Sequence, residues 1–186
     1  PGGAAICGAM LWYPDETIQH AGVVTGLGGY AGHSHKYKKK DGSGYMFRTA
    51  TVQDFSAVTA ACLLVKTSVY DEVGGLDEQF AVAFNDVDFC LRVRDAGYRI
   101  AWTPYAELIH YESKSRGGDE KDPSKAARFA SEQQRLYTIH GKENILDDPY
   151  YNPNLTRDRE DFSESDDLRG LKEGKVTVRF RGGTVQ

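Results

Sequence analysis

Apolar positions fall into short blocks whose spacing changes along the chain. In AICGAMLWYPDETIQHAGVV, residues 5–24, two apolar segments flank Pro14, Asp15, Glu16 and Thr17. Proline and aspartate favour a turn, so this stretch predicts a β-hairpin. Residues 26–48 are basic and glycine-rich without a period. They predict a long surface loop, a kind of segment more often functional than idle. AVTAACLLV, residues 57–65, is a continuous apolar run and predicts a buried strand. Lys66 to Val73 predicts a short helix stopped by Gly74 and Gly75.

The stretch FNDVDFCLRVRDAGYR, residues 84–99, predicts an amphipathic helix over 86–96, with Gly97 placed for the left-handed position behind it. YRIAWT (98–103) and AELIHY (106–111) predict two strands separated by Pro104. Asp122 and Pro123 form a strong helix start, aspartate as cap and proline in the first turn. Ala126, Phe129, Ala130, Gln133, Leu136 and Tyr137 then supply one face up to about His140. Beyond DDPYYNPN the chain turns acidic and polar, as a loose tail does, until GKVTVRF (174–180) alternates like a last strand. The pattern is α/β. It has no internal repeat and no series of β-α-β units with a glycine-rich first turn, so no element that grips a nucleotide base is evident.

Composition narrows the class. The 186 residues, 40% hydrophobic and 27% charged, suit one domain with a core. No run approaches the ~18 apolar residues of a membrane span. The start lacks the basic region of a signal peptide, and Pro1 in place of methionine predicts a processed or truncated chain. Cys7, Cys62 and Cys90 are odd in number and sit in apolar runs, which predicts reduced thiols and a cytoplasmic setting. A net charge of −4 argues against nucleic acid as a partner. HSHKYKKK, residues 33–40, reads most simply as a solvated charge run; contact with an anionic or sugar acceptor, or with membrane-surface lipid, is the alternative.

Two places carry candidate chemistry. Asn85, Asp86 and Asp88 open the predicted helix, where acidic side chains satisfy free N–H groups and suit the helix dipole. One cap explains Asn85 or Asp86 but does not require a second carboxylate at Asp88, so capping and catalysis both stand. His110 ends an apolar strand and is followed by Ser113, Lys114, Ser115 and Arg116. Hydroxyls, cations and glycines behind a strand can hold a phosphate, and a neutral imidazole is a common metal ligand. His20 reads as structural. There is no nucleophile elbow and no HExxH, which leaves a metal-dependent hydrolase on Asp86, Asp88 and His110 weakly founded.

Taken in order, residues 59–117 resemble the later half of family 2 glycosyltransferases with the GT-A fold. The shared pattern is an apolar strand, a basic residue opening a helix, GGLDE, an acidic pair before an aromatic-rich helix, AGYR, a strand with proline, and a strand ending in histidine. PDETIQHAGVV, the glycine- and histidine-rich loop and DPYYNPNL resemble bacterial polysaccharide and O-antigen-type members. The resemblance implies the C-terminal, acceptor-side part of a nucleotide-diphospho-sugar transferase over residues 1–156, a mixed sheet with flanking helices, and a polar acidic tail over 157–186. It also implies an N-terminal nucleotide-binding half with an Asp-x-Asp metal motif, which is absent here, so the chain alone should be nearly inactive.

The chemistry implied is transfer of a sugar from a nucleotide-sugar donor to a hydroxyl of a glycan or lipid-linked acceptor, with inversion. Asp86 would be the general base, Asn85 and Asp88 its support or acceptor contacts. His110 would hold the metal, and Ser113 and Arg116 the diphosphate. A divalent cation, manganese or magnesium, would be supplied mainly by the other half. Such an enzyme works at the inner face of the membrane, with peripheral association. The family pair is usually Glu-Asp, whereas this chain has Asn85-Asp86. A non-catalytic carbohydrate- or partner-binding module derived from the same fold is the alternative.

Overall fold

The computed structural model describes residues 3–39, 42–111 and 123–165, together with the backbone of residues 178–180 and 183–185. Its central strand, β1 (Ile6–Trp12), turns back into β2 (Ile18–His20), antiparallel with Leu11 opposite His20. Asp15 closes the turn by accepting the Thr17 N–H at 3.0 Å, as proline-aspartate turns do. The hairpin therefore forms, but its second arm ends early. Gly22 takes φ 95°, and a Cβ there would fall 2.5 Å from the Phe55 ring. The next strand, β3 (Val23–Thr25), pairs instead with β4 (Ala31–His33) as a separate ribbon.

The apolar run at 57–65 is not one buried strand. Only β6 (Leu63–Val65), which follows the short β5 (Gln53–Asp54), is extended, and Leu64 is 77% exposed. Before it the chain turns at Thr59–Cys62, because Val58 must fit against Gly8 while the Ala60 amide is taken by Asp86. Nor does Pro104 separate two strands. β7 (Ile100–Ile109) is continuous, parallel to β1, and its register jumps so that Thr103 faces Ala9 and Glu107 faces Met10. Proline, lacking an N–H, is absorbed where the ladder is interrupted. β5 closes the far side of β7, antiparallel at Ala101 and Trp102. The result is a mixed sheet in an α/β molecule, with Trp102, Phe55, Phe89 and Leu91 among the fully buried side chains.

Helices flank it. α1 (Thr67–Glu72) stops at Gly74 and Gly75, both with positive φ. α2 (Asn85–Asp95) ends as its sequence predicts: Gly97 takes φ 90° and the Tyr98 N–H reaches the Val93 carbonyl at 3.2 Å. α3 (Pro123–His140) and α4 (Lys142–Leu146) follow; the predicted cap Asp122 lies outside the described residues. The buried face of α3 differs from expectation. Leu136 is buried as expected, but Ala126 and Ala130 are exposed and Glu132 is buried in their place. An amphipathic reading counts apolar side chains, whereas this helix covers a loop whose N–H groups need acceptors.

Residues 157–165 lie along the 26–45 segment. Gly28 donates to the Arg157 carbonyl at 2.8 Å, and the buried Phe162 ring stacks on His35 and Tyr45. The 26–48 segment is thus partly interior, with Leu27, Ser34 and His35 buried. At the end of the chain, β8 (Val178–Phe180) and β9 (Gly183–Val185) pair antiparallel. All three cysteines are free thiols. Among the described residues no helix is long and apolar enough to cross a membrane.

Candidate functional site at the start of α2

The residue at the cap of α2 is neither Asn85 nor Asp86 but Phe84, with φ 64° and no side-chain cap bond. A phenylalanine in that region costs on the order of 1–3 kcal/mol and persists only where its surroundings hold it. Here they do. Its ring packs on Tyr30 and Phe129, at centroid distances of 5.5 and 5.1 Å. The buried Glu132 of α3 accepts the N–H groups of Val82 at 3.1 Å and Ala83 at 2.8 Å, fixing the approach to the helix.

The acidic residues then separate in role. Asn85 Oδ1 takes the Asp86 N–H at 2.7 Å. Asp86, half-buried, uses Oδ1 for the Val87 N–H at 2.9 Å and Oδ2 for the Ala60 N–H at 3.1 Å. Two backbone donors from different segments thus orient the Asp86 carboxylate, and each oxygen keeps a second lone pair. Asp88 faces inward at 1% exposure. It accepts from Arg92 Nε and Nη2 at 2.9 and 2.7 Å and lies 2.8 Å from His140 Nε2. Burial pushes the Asp88 carboxyl up, but the bonds to His140 and Arg92 outweigh it and hold the group below its ordinary value.

Arg92 carries the connection further. Its Nη1 donates to the Val73 carbonyl at 2.6 Å and its Nη2 to the Gly75 carbonyl at 2.8 Å. The GGLDE stretch, the helix start and the end of α3 are therefore one bonded unit. Arg135 of α3 adds a bond to Asp77 at 2.6 Å in the same stretch. A hydrolase needing both Asp86 and Asp88 at one substrate loses Asp88, which these partners enclose.

One histidine, His20, joins the Asp86 side. The Thr59 N–H points at His20 Nε2, 3.5 Å away, next to the Ala60 amide that binds Asp86. That makes Nε2 the acceptor, so His20 Nδ1 carries the proton toward His33 Nδ1 at 2.9 Å. Burial, then the neighbouring His33, pushes the fully buried His20 far down, which keeps the ring neutral at physiological pH. His20 sits opposite Leu11, and the His110 N–H donates to the Trp12 carbonyl at 2.9 Å. Both histidines therefore lie at the C-terminal end of β1.

His110 Nδ1 is buried and has no hydrogen-bond partner among the described residues. That orphaned atom suits a ligand donor. A metal centre needs more, and among the described residues no group of three or more His, Cys, Asp or Glu is placed to hold an ion. This donor set does not fit a complete cation site. Ser113 and Arg116, the diphosphate candidates, lie outside the described residues.

Sequence reasoning missed Arg92, Glu132, His140 and His33. A signal existed: Glu132, Leu136 and His140 recur at i, i+4 and i+8, a helical stripe with polar ends. What hid it was the reading of polar positions as solvated.

No family model matches the chain, and no solved structure matches it. Three kinds of relative do. The chain is 52% identical over 164 residues to "Uncharacterized protein y4gI" of Sinorhizobium fredii, covering 86% of this chain and 18% of that protein. It is 36% identical over 152 residues to O-antigen biosynthesis protein RfbC of Myxococcus xanthus, covering 80% of this chain and 11% of that one. Over 80 residues it is 37% identical to N-acetylglucosaminyl-diphospho-decaprenol L-rhamnosyltransferase of Mycobacterium tuberculosis, 43% of this chain and 24% of that enzyme. The chain spans less than a quarter of each relative's length. Its likeness therefore runs along most of its own length to a protein named for O-antigen biosynthesis, and along less than half of it to a named sugar transferase.

Proposed function

We propose that the chain is the acceptor-side portion of an inverting GT-A, family 2 glycosyltransferase, with Asp86 as general base. The carrying observation is the Asp86 carboxylate, half-exposed at a strained helix start and aimed by the Ala60 and Val87 amides. A hydroxyl is a weak nucleophile, and an oriented carboxylate takes its proton as the bond to the anomeric carbon forms. The relatives named for O-antigen biosynthesis and rhamnosyl transfer support sugar transfer as the general chemistry. A nucleotide-sugar donor and a glycan or lipid-linked acceptor follow from that reading. Work on a lipid-linked acceptor would bring the protein to the inner face of the membrane. Among the described residues the implied manganese or magnesium has one candidate donor, His110.

The test is Asp86→Asn in the longer protein, assayed for sugar transfer and for binding of uridine, thymidine and guanosine diphosphates. Transfer should fall by about 10²–10⁴-fold, the worth of a general base, with nucleotide binding unchanged. Turnover retained near the unsubstituted level refutes the role.

One observation favours a second reading, a non-catalytic carbohydrate- or partner-binding module: both Asp86 oxygens already serve as anchors for backbone amides. Titration with uridine diphosphate plus manganese, against glycans alone, separates the two. A glycan response without any metal–nucleotide response selects the module.

A further inference from the structure

We infer that the cleft between residues 27–37 and 157–161 is a subsite for one neutral sugar unit of the acceptor glycan, a step that rests on the acceptor-side reading above. The cleft encloses about 450 Å³, within the ~300–1,000 Å³ range of small-molecule sites. Tyr30 and Tyr37 form its aromatic walls. Tyr37 is 66% exposed yet fixed: its ring stacks on Tyr13 at 5.3 Å and 7°. The Lys36 ammonium lies over the same ring, 5.2 Å from its centroid, so this wall of the cleft sets a cationic donor beside an aromatic edge, a pairing that suits the hydroxyl and C–H groups of a sugar.

The polar lining decides the ligand class. Asp158, Glu160 and Asp161 are matched by Lys36, Arg157 and Arg159, three charges of each sign. A diphosphate or an anionic lipid calls for a surplus of cations, and this lining has none. Among the described residues it forms no candidate metal cluster either. Arg159 and Asp161 are engaged with Ser163. The Lys36 ammonium is held between the Tyr37 ring and the Glu160 carboxyl, whose charged form it favours. Glu160 sits tight against the backbone, since a Cβ on Gly32 would fall 2.7 Å from its Oε1. Burial pushes its carboxyl up, against Lys36 and the His33 N–H. Donors and acceptors of both signs around an apolar ring suit a neutral, hydroxyl-rich ligand.

The cleft is also wired to the start of α2 by two routes. Tyr30 packs edge-on to Phe84 at 5.5 Å, one residue before Asn85. Glu160 accepts from the His33 backbone, and the His33 ring leads through His20 and Thr59 to Ala60, which binds Asp86. The cleft lining is thus joined by packing and hydrogen bonds to the residues that fix the proposed base.

Saturation-transfer NMR on the chain tests this, with L-rhamnose, D-glucose, D-mannose and N-acetyl-D-glucosamine at millimolar concentration as probes. At least one should bind, unaffected by uridine diphosphate, and Tyr37→Ala or Lys36→Ala should weaken it by about tenfold while thermal melting of the chain is retained. Asp86→Asn should leave that binding intact. No response to any probe, binding indifferent to both variants, or displacement by uridine diphosphate overturns the subsite. The two readings fail separately. If Asp86→Asn abolishes transfer in the longer protein but Tyr37→Ala alters neither sugar binding nor acceptor KM, the subsite falls and the enzyme reading stands. If Tyr37→Ala abolishes sugar binding while Asp86→Asn transfers normally, the reverse holds.

Discussion

Replacing Asp88 by asparagine tests whether the α2 start is held by the buried charge network. The carboxylate is 1% exposed and is bonded by Arg92 twice and by His140, itself 5% exposed in its side chain. Removing one partner of a buried ion pair costs about 3–5 kcal/mol. Arg92 keeps 25% side-chain exposure and its two carbonyl acceptors, so water screens part of the loss, and about 3 kcal/mol is the working figure. For a chain of this size that lowers Tm by about 6–12 °C, read by circular dichroism at neutral pH. The pH dependence adds a second readout. The folded Asp88 lies below its unfolded value, so its contribution is full above about pH 4 and is lost as pH falls through the folded pKa. The Tm gap between the parent and Asp88→Asn should therefore narrow in acid. A shift under about 2 °C at neutral pH, or a gap that widens in acid, refutes the argument.

Two further outcomes follow from the same geometry. Glu132→Ala leaves the Val82 and Ala83 amides without their acceptor, costing about 1–3 kcal/mol. Hydrogen exchange at those two amides should accelerate more than in β1, and equal acceleration everywhere would assign Glu132 to global stability alone. Cys90 is fully buried and burial pushes its thiol up to about 12, so iodoacetamide at mildly alkaline pH should label the half-exposed Cys62 and spare Cys90 until guanidinium is added. Equal native labelling of Cys62 and Cys90 contradicts the packing.

The helix and its stop were readable because they depend on local physics. Gly97 takes the left-handed position that the sequence offers it, and α3 begins its described course at Pro123. Where tertiary demand overrides local preference, the reading departs. AVTAACLLV looks like one strand by composition, but its Thr59–Cys62 turn is set by Asp86, 26 positions from Ala60. Pro104 looks like a strand break, and a register jump between β1 and β7 absorbs it. Phe84 could not be found as a cap, since its positive φ is imposed by Glu132, Tyr30 and Phe129, all distant in sequence. The residues named for chemistry came from pattern. Their partners came only from the fold.

The division of labour along NDVD follows from helix geometry. Residues two apart point about 200° away from each other around an α-helix, so Asp86 and Asp88 cannot serve one small site from the same helix. Asp88 turns inward, where Arg92 and His140 are available to pair with it. Asp86 is thereby turned toward Ala60, whose neighbour Thr59 reaches His20. A helix start tied inward by one carboxylate presents the other in a fixed direction, and the proposed proton transfer at a bound hydroxyl would draw on that preorganisation. On this argument the second carboxylate is neither a spare cap nor a second catalyst: the inward anchor is what lets a half-exposed aspartate hold its aim.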